Sequence, residues 1–176
     1  MGLLRQTHDF LAPEPREPTG DPFDDLVARL GLPRLSDAHD PAGDAPAAPR
    51  DPAMDRLVPS AHREDPALAA EFRRLTEHGL REGKAANLST AISAVLAADG
   101  DKVRLDQDQA RAMVVALTDV RLLLGERLGL RTDEDADALA DRIEEASPDD
   151  PQLALAAYYD FMTWLQESLA QALLDM

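Results

Sequence analysis

The chain has 176 residues, enough for one domain with a tail or for two very small domains. Hydrophobic residues make up 44% of it and aromatics only 4%, the composition of a soluble protein with an aliphatic, helical core. Its 34 acids against 18 bases leave a net charge of -16, which repels phosphate backbones and anionic lipid, and the absence of Cys excludes disulfides, thiolate metal sites and cysteine nucleophiles.

The opening segment MGLLRQTHDFLAP has one Arg before a short, interrupted apolar stretch, too little for a secretory signal, and no later apolar run nears the length of a membrane span. The chain therefore reads as cytoplasmic. Asp21 as N-cap, Pro22 at the first helical position and Gly31 as terminator then bracket Phe23, Leu26, Val27 and Leu30, which predicts a short helix near residues 22–30. Residues 33–52, PRLSDAHDPAGDAPAAPRDP, hold almost no large apolar side chain. They cannot offset an ordering cost of roughly 1 to 2 kcal/mol per residue, and a disordered linker is expected. With 11 of the 13 prolines at or before Pro66, these signals divide the chain into an N-terminal tail at 1–57 and a helical bundle domain at 58–176.

From Pro66 onward the periodicity is helical. Asp65 caps Pro66, and Leu68, Phe72 and Leu75 share one face, while from Leu80 a second stripe runs through Leu88, Ala91, Ile92 and Val95. At 100° per residue the two stripes lie about 170° apart, so a break near Thr76 to Gly79 is expected. After Asp99-Gly100-Asp101, an Asp106 to Gln109 capping box opens a helix whose apolar face is Ala110, Met113, Val114, Leu117, Leu124 and Leu128, ending at Gly129. A shorter acidic helix at about 134–145 leads to a last one from Pro151, with Tyr158, Phe161, Met162, Leu165, Leu169, Ala172 and Leu173 as its core stripe. The predicted fold is an all-α bundle of four to five helices behind a Pro/Asp-rich, partly disordered N-terminal region.

Charge is unevenly spread along these parts. There are 13 acids and 7 bases up to Asp65, 9 and 10 over residues 66–131, and 12 and 1 over residues 132–176. The four bases Arg73, Arg74, Arg81 and Lys84 form a cluster on an otherwise acidic chain.

No metal, nucleotide or nucleophile motif is present: the four histidines are scattered, and GxGxxG, P-loop, HExxH and GxSxG patterns are missing. His78 and Glu82 make the one i,i+4 pair with metal-ligand chemistry, and it reads as a solvated helix pair rather than a metal site. The informative positions are polar residues inside apolar stripes. Arg121 projects between Leu117, Leu124 and Leu128, and Lys84 and Asn87 interrupt the preceding helix's stripe in the same way. A buried, unpaired charge costs several kcal/mol, so each is expected to meet a partner within the bundle, with Glu71, Glu77, Asp160 and Glu167 as candidate acids. The resulting polar network, Glu71, Arg74, Glu77, Arg81, Lys84, Asn87, Arg121 and Glu167, reads either as a device that sets packing register or as the lining of a partner or ligand pocket. Trp164, the sole Trp, is a candidate interface anchor or a core-edge indole.

Three segments carry a family resemblance: EFRRLTEHGLREGKAANL from Glu71, VRLDQDQARAMVVALTDVRLLLGERLGL from Val103, and YYDFMTWLQESLAQAL from Tyr158. They resemble an actinobacterial family known as the domain of unknown function numbered two thousand and seventeen. The resemblance covers about residues 21–176, and a bias of 16 Arg against 2 Lys suits a high-GC coding sequence. It implies a cytoplasmic helical protein whose gene commonly lies beside that of the ClpS adaptor of the Clp protease, in a family some of whose members are labelled transcriptional regulators. Arg74, Thr76, Glu77, Arg81, Lys84, Asn87, Asp119, Arg121, Trp164, Gln166 and Glu167 match its pattern, and no catalytic residue carries over. Met113 and Thr118 depart from it, standing where Trp and Asn are expected. LLRQTHDFL replaces a longer opening helix, which would leave part of the bundle mobile or open to dimerisation.

The expected function is a non-enzymatic interaction or regulatory module linked to Clp-type proteolysis. A DNA-binding regulator using Arg73, Arg74, Arg81 and Lys84 is the first alternative, and a small-molecule-binding or enzymatic domain using a polar pocket around Arg121 the second. The expected partner is another protein, with a homodimer as an alternative, and neither a membrane nor nucleic acid. No catalytic residue, cofactor or metal ligand is assigned.

Overall fold

Three helices open on the same local device, an Asp N-cap followed by Pro at the first helical position: Asp51-Pro52, Asp65-Pro66 and Asp150-Pro151. Each Asp side chain accepts backbone N–H groups of the first turn, and Pro surrenders a donor that would have had no helical partner. The computed structural model describes residues 1–13, 50–61, 65–145, 147 and 150–175. Among them the chain forms six helices and no strand: α1 (Gly2–Leu11), α2 (Pro52–Leu57), α3 (Pro66–Leu96), α4 (Gln107–Leu128), α5 (Asp133–Glu145) and α6 (Pro151–Leu174). The fold is all-α, as the periodicity predicts. The helix expected near 22–30 and the linker up to residue 49 lie outside the described residues.

The central helix is α4, which packs against α1, α2, α3 and α6. Its Asp106 and Gln109 form the expected capping box, and Gly129 closes it in the left-handed region at φ 77°, where Leu130 N–H reaches the Gly125 carbonyl at 2.8 Å. Because it touches neighbours on several sides, its buried set exceeds one stripe and includes Met113, Ala116, Leu117, Val120 and Leu124. Leu88 and Ala91 of α3 meet this face, with Leu155, Tyr159, Met162, Leu165 and Leu169 of α6 packed on its margin. A smaller cluster of Leu128, Leu139 and Ala156 ties α5 to the end of the bundle.

The expected break at Thr76 to Gly79 is not there. Residues 66–96 form one continuous helix, and the Thr76 hydroxyl donates to the Phe72 carbonyl at 2.9 Å instead of capping a new start. The two stripes point apart, as their phases require, so only the second is buried. Leu68, Phe72 and Leu75 of the first are 41–46% exposed, and burial of the second begins only beyond its first member, Leu80, which is 48% exposed.

The expected boundary at residue 57 runs through the core. Leu4 and Leu11 of α1, Leu57 of α2 and the following Val58 all belong to the main cluster. Isolated helices of ten and six residues are not stable in water, so packing against α3 and α4 is what holds these two. The last residues of the expected linker are likewise engaged: Arg50 pairs with Asp55 and Glu77, and Asp51 caps α2. On α6 the stripe is narrower than expected, with Tyr158, Phe161 and Ala172 exposed.

Candidate functional site

The polar residues expected to form one network fall into separate groups. Glu71 and Arg74 make an exposed i,i+3 pair at 2.7 Å on the outer half of α3. Glu77 accepts from Arg50 at 2.8 Å and lies 3.8 Å from Arg81. Arg81 itself donates to the carbonyls of Leu11 and Ala12, at 2.8 and 3.0 Å, and so satisfies the free end of α1. The Asn87 side chain is half-buried and makes no hydrogen bond among the described residues, and Glu167 is exposed.

Lys84 and Arg121 do not find the acids expected for them. Lys84 meets Asp119 at 2.5 Å, and Arg121 donates from Nη1 to the neutral Gln166 amide oxygen at 2.7 Å. Helical phase explains the difference. Residues 119 and 121 are two apart on α4, about 200° around its axis, so Asp119 faces α3 while Arg121 faces α6. The Arg121 guanidinium also lies 5.3 Å over the Tyr159 ring, which stabilises a cation without a carboxylate. Gln166 completes the layer by donating to the Thr118 hydroxyl at 2.6 Å and the Val114 carbonyl at 3.3 Å. Asp119 is fully buried, and burial raises its carboxyl above the usual value despite the Lys84 bond.

Asp119 and Gln166 match the family pattern, but periodicity alone does not single them out. Asp119 lies on the side of α4 opposite the apolar stripe read from the sequence, and a lone Gln on an amphipathic helix carries no signal. Arg56 and Gly125 had no sequence signal of a site at all: Gly125 stands one turn after Arg121 on α4 itself, and Arg56 is brought beside them by the packing of α2 on α4.

The second feature is an apolar surface along α6. Tyr158 is 52% exposed, Phe161 48% and Trp164 61%, and the Phe161 and Trp164 rings lie 5.8 Å apart at a tilt of 34°. Phe161 also borders an apolar groove of about 300 Å³ whose other walls include Leu4, Val95, Val103, Leu105, Met113 and Leu165. One turn before and one turn after Trp164 stand Asp160 and Glu167, so the aromatic row has an acidic outer edge. Three of the four bases of the basic cluster contrast with this surface, since Arg74, Arg81 and Lys84 are each bonded within the chain, while Nε of Arg73 is buried without a partner among the described residues.

Among the described residues, no three His, Asp or Glu side chains come together as metal ligands, and no helix is long and apolar enough to cross a membrane. The architecture is thus a helical bundle around a central helix, with internal polar pairs and an aromatic outer flank. The chain belongs to the family described as domain of unknown function DUF2017, which it matches over residues 1–173. Nothing among the curated proteins or the solved structures matches it.

Proposed function

We propose that this protein is a non-enzymatic cytoplasmic interaction module that binds a basic, amphipathic helix of another protein along α6. The observation that carries this reading is the row of Tyr158, Phe161 and Trp164, each about half exposed or more, beside an apolar groove. Aromatic side chains present large area at low entropic cost and dominate interface energetics. The charge of the partner follows from the surroundings: α6 carries Asp160 and Glu167 and no basic residue, in a chain of net charge -16. A second copy would bring those carboxylates against their own kind, whereas Lys or Arg would complement them. Against chemistry at the polar layer stands the mutual engagement of its groups, Lys84 with Asp119 and Arg121 with Gln166.

Trp164 is the sole Trp, so its fluorescence reports on the surface directly. Titration with a Leu/Lys-rich amphipathic helical peptide is expected to shift its emission to shorter wavelength and to saturate, while a Leu/Glu-rich counterpart has no effect. Phe161→Ser is expected to abolish the response without lowering the melting temperature. A response that survives Phe161→Ser, or that the acidic peptide reproduces, overturns the reading. The role beside Clp-type proteolysis rests on the family resemblance, and capture from native lysate on wild-type and Phe161→Ser baits tests it. Recovery of a Clp component on the first bait alone is the expected result.

A further inference from the structure

A recess of about 130 Å³ opens between α2, α4 and α6, on a different face from the aromatic row. Arg56 and Arg121 both line it. Arg56 uses Nη1 on the Leu130 carbonyl at 2.5 Å and on Glu126 at 3.5 Å, and Arg121 uses Nη1 on Gln166. Neither Nη2 has an acceptor among the described residues, and neither is sealed from solvent, while Nε of Arg121 is buried and unbonded. Glu126 does not neutralise the pair, because Arg131 holds it at 2.5 Å as well as Arg56. In a chain with 34 acids and 18 bases, an inward-facing Arg121 without a carboxylate is a surplus cation held in place.

The floor of the recess is a missing side chain. Gly125 lies inside α4, where glycine is less favourable than alanine, yet a Cβ there would stand 3.7 Å from Tyr159, 3.9 Å from Arg56 and 4.0 Å from Leu130. Those are ordinary contacts, so alanine would fit, and its absence keeps the space open. We infer that this recess binds a small carboxylate, with the charged end between Arg56 and Arg121 and a short apolar body against Leu122 and Leu130. The volume accommodates roughly four water-sized groups, at about 30 Å³ each, which is a carboxylate with a one- or two-carbon body. The apolar walls favour it over phosphate, whose oxygens would face leucine. Planar guanidinium donors held by Leu130, Gln166 and the Tyr159 ring are already oriented for it.

Two-dimensional NMR of the intact chain titrated with sodium propionate, at ionic strength held constant with chloride, tests the assignment. Saturable shifts confined to Arg56 and the Leu122 to Leu130 stretch are expected. Gly125→Leu, which fills the recess, and Arg121→Met should each weaken binding by about tenfold or more, while Gly125→Ala keeps the fold and weakens it less. A peptide with a free C-terminal carboxylate and its amidated form give a second arm. Tighter binding of the free form than of propionate makes a chain terminus the source of the carboxylate, and weaker binding makes it a free metabolite. Shifts that fail to saturate, that survive Gly125→Leu, or that phosphate produces at lower concentration than propionate overturn the proposal. The α6 surface is a separate site, so Trp164 fluorescence with the basic peptide remains unaffected either way.

Discussion

Lys84 of α3 and Asp119 of α4 stand 2.5 Å apart, with the carboxylate fully buried and the lysine side chain 25% exposed. The pair is asymmetric: the ammonium can reach water when its partner is lost, and the carboxylate cannot. Lys84→Met should therefore destabilise the fold by about 3 to 5 kcal/mol, the cost of leaving one buried charge alone. Asp119→Asn should cost less, because the amide keeps the shape and Lys84 turns outward. Urea denaturation of the two variants at neutral pH checks the order, and equal losses would refute it.

The same carboxyl gives a pH dependence of defined sign. Burial raises the Asp119 value in the folded state, and the Lys84 bond only partly offsets this. Between the ordinary carboxylate value and the raised one, the folded chain holds more protons than the unfolded chain. This contribution to stability is present at low pH and is lost as pH rises through the folded value. The stability of the wild type relative to Asp119→Asn should thus fall as pH increases from about 4 to about 7. A rise over that interval would mean that Lys84 outweighs burial.

Arg81 holds α1 to α3 through the Leu11 and Ala12 carbonyls. Arg81→Met keeps most of the side-chain volume and removes both bonds, leaving the last carbonyls of α1 without donors. Amide exchange in α1 should accelerate by about tenfold or more, while the core of α4 exchanges as before. Hydrogen exchange read by mass spectrometry resolves the two segments.

Gln166 bonds Arg121, Thr118 and Val114 at once, linking α6 to α4 at the edge of the core. Gln166→Ala should cost about 2 to 3 kcal/mol, since three bonds are lost and half-buried groups are left unmatched. Gln166→Glu should not restore stability: it pairs with Arg121 but sets a carboxylate against the Val114 carbonyl. Thermal unfolding of both variants provides the comparison.

Much of the local structure was legible in the residues. Asp-Pro pairs and the Asp106 to Gln109 box mark where helices begin, and Gly129 marks an end, because capping is satisfied by atoms within a few residues of one another. The polar interruptions Lys84 and Arg121 were also readable as groups in need of partners. Their partners were not, since Asp119 and Gln166 are 35 and 45 residues away and only helix rotation decides which side faces which neighbour.

By itself, then, the sequence determined the helical class, most helix ends and the acidity of the surface, all of which follow from short-range periodicity, capping and composition. Tertiary structure decided which of the two stripes on α3 is buried, that residues 2–11 and 52–57 belong to the core, and that Tyr158 and Phe161 stay outside it. The physical reason is the same in each case. An apolar stripe states that a face favours burial, but burial needs a surface to pack against, and α4 has a limited number of sides to offer.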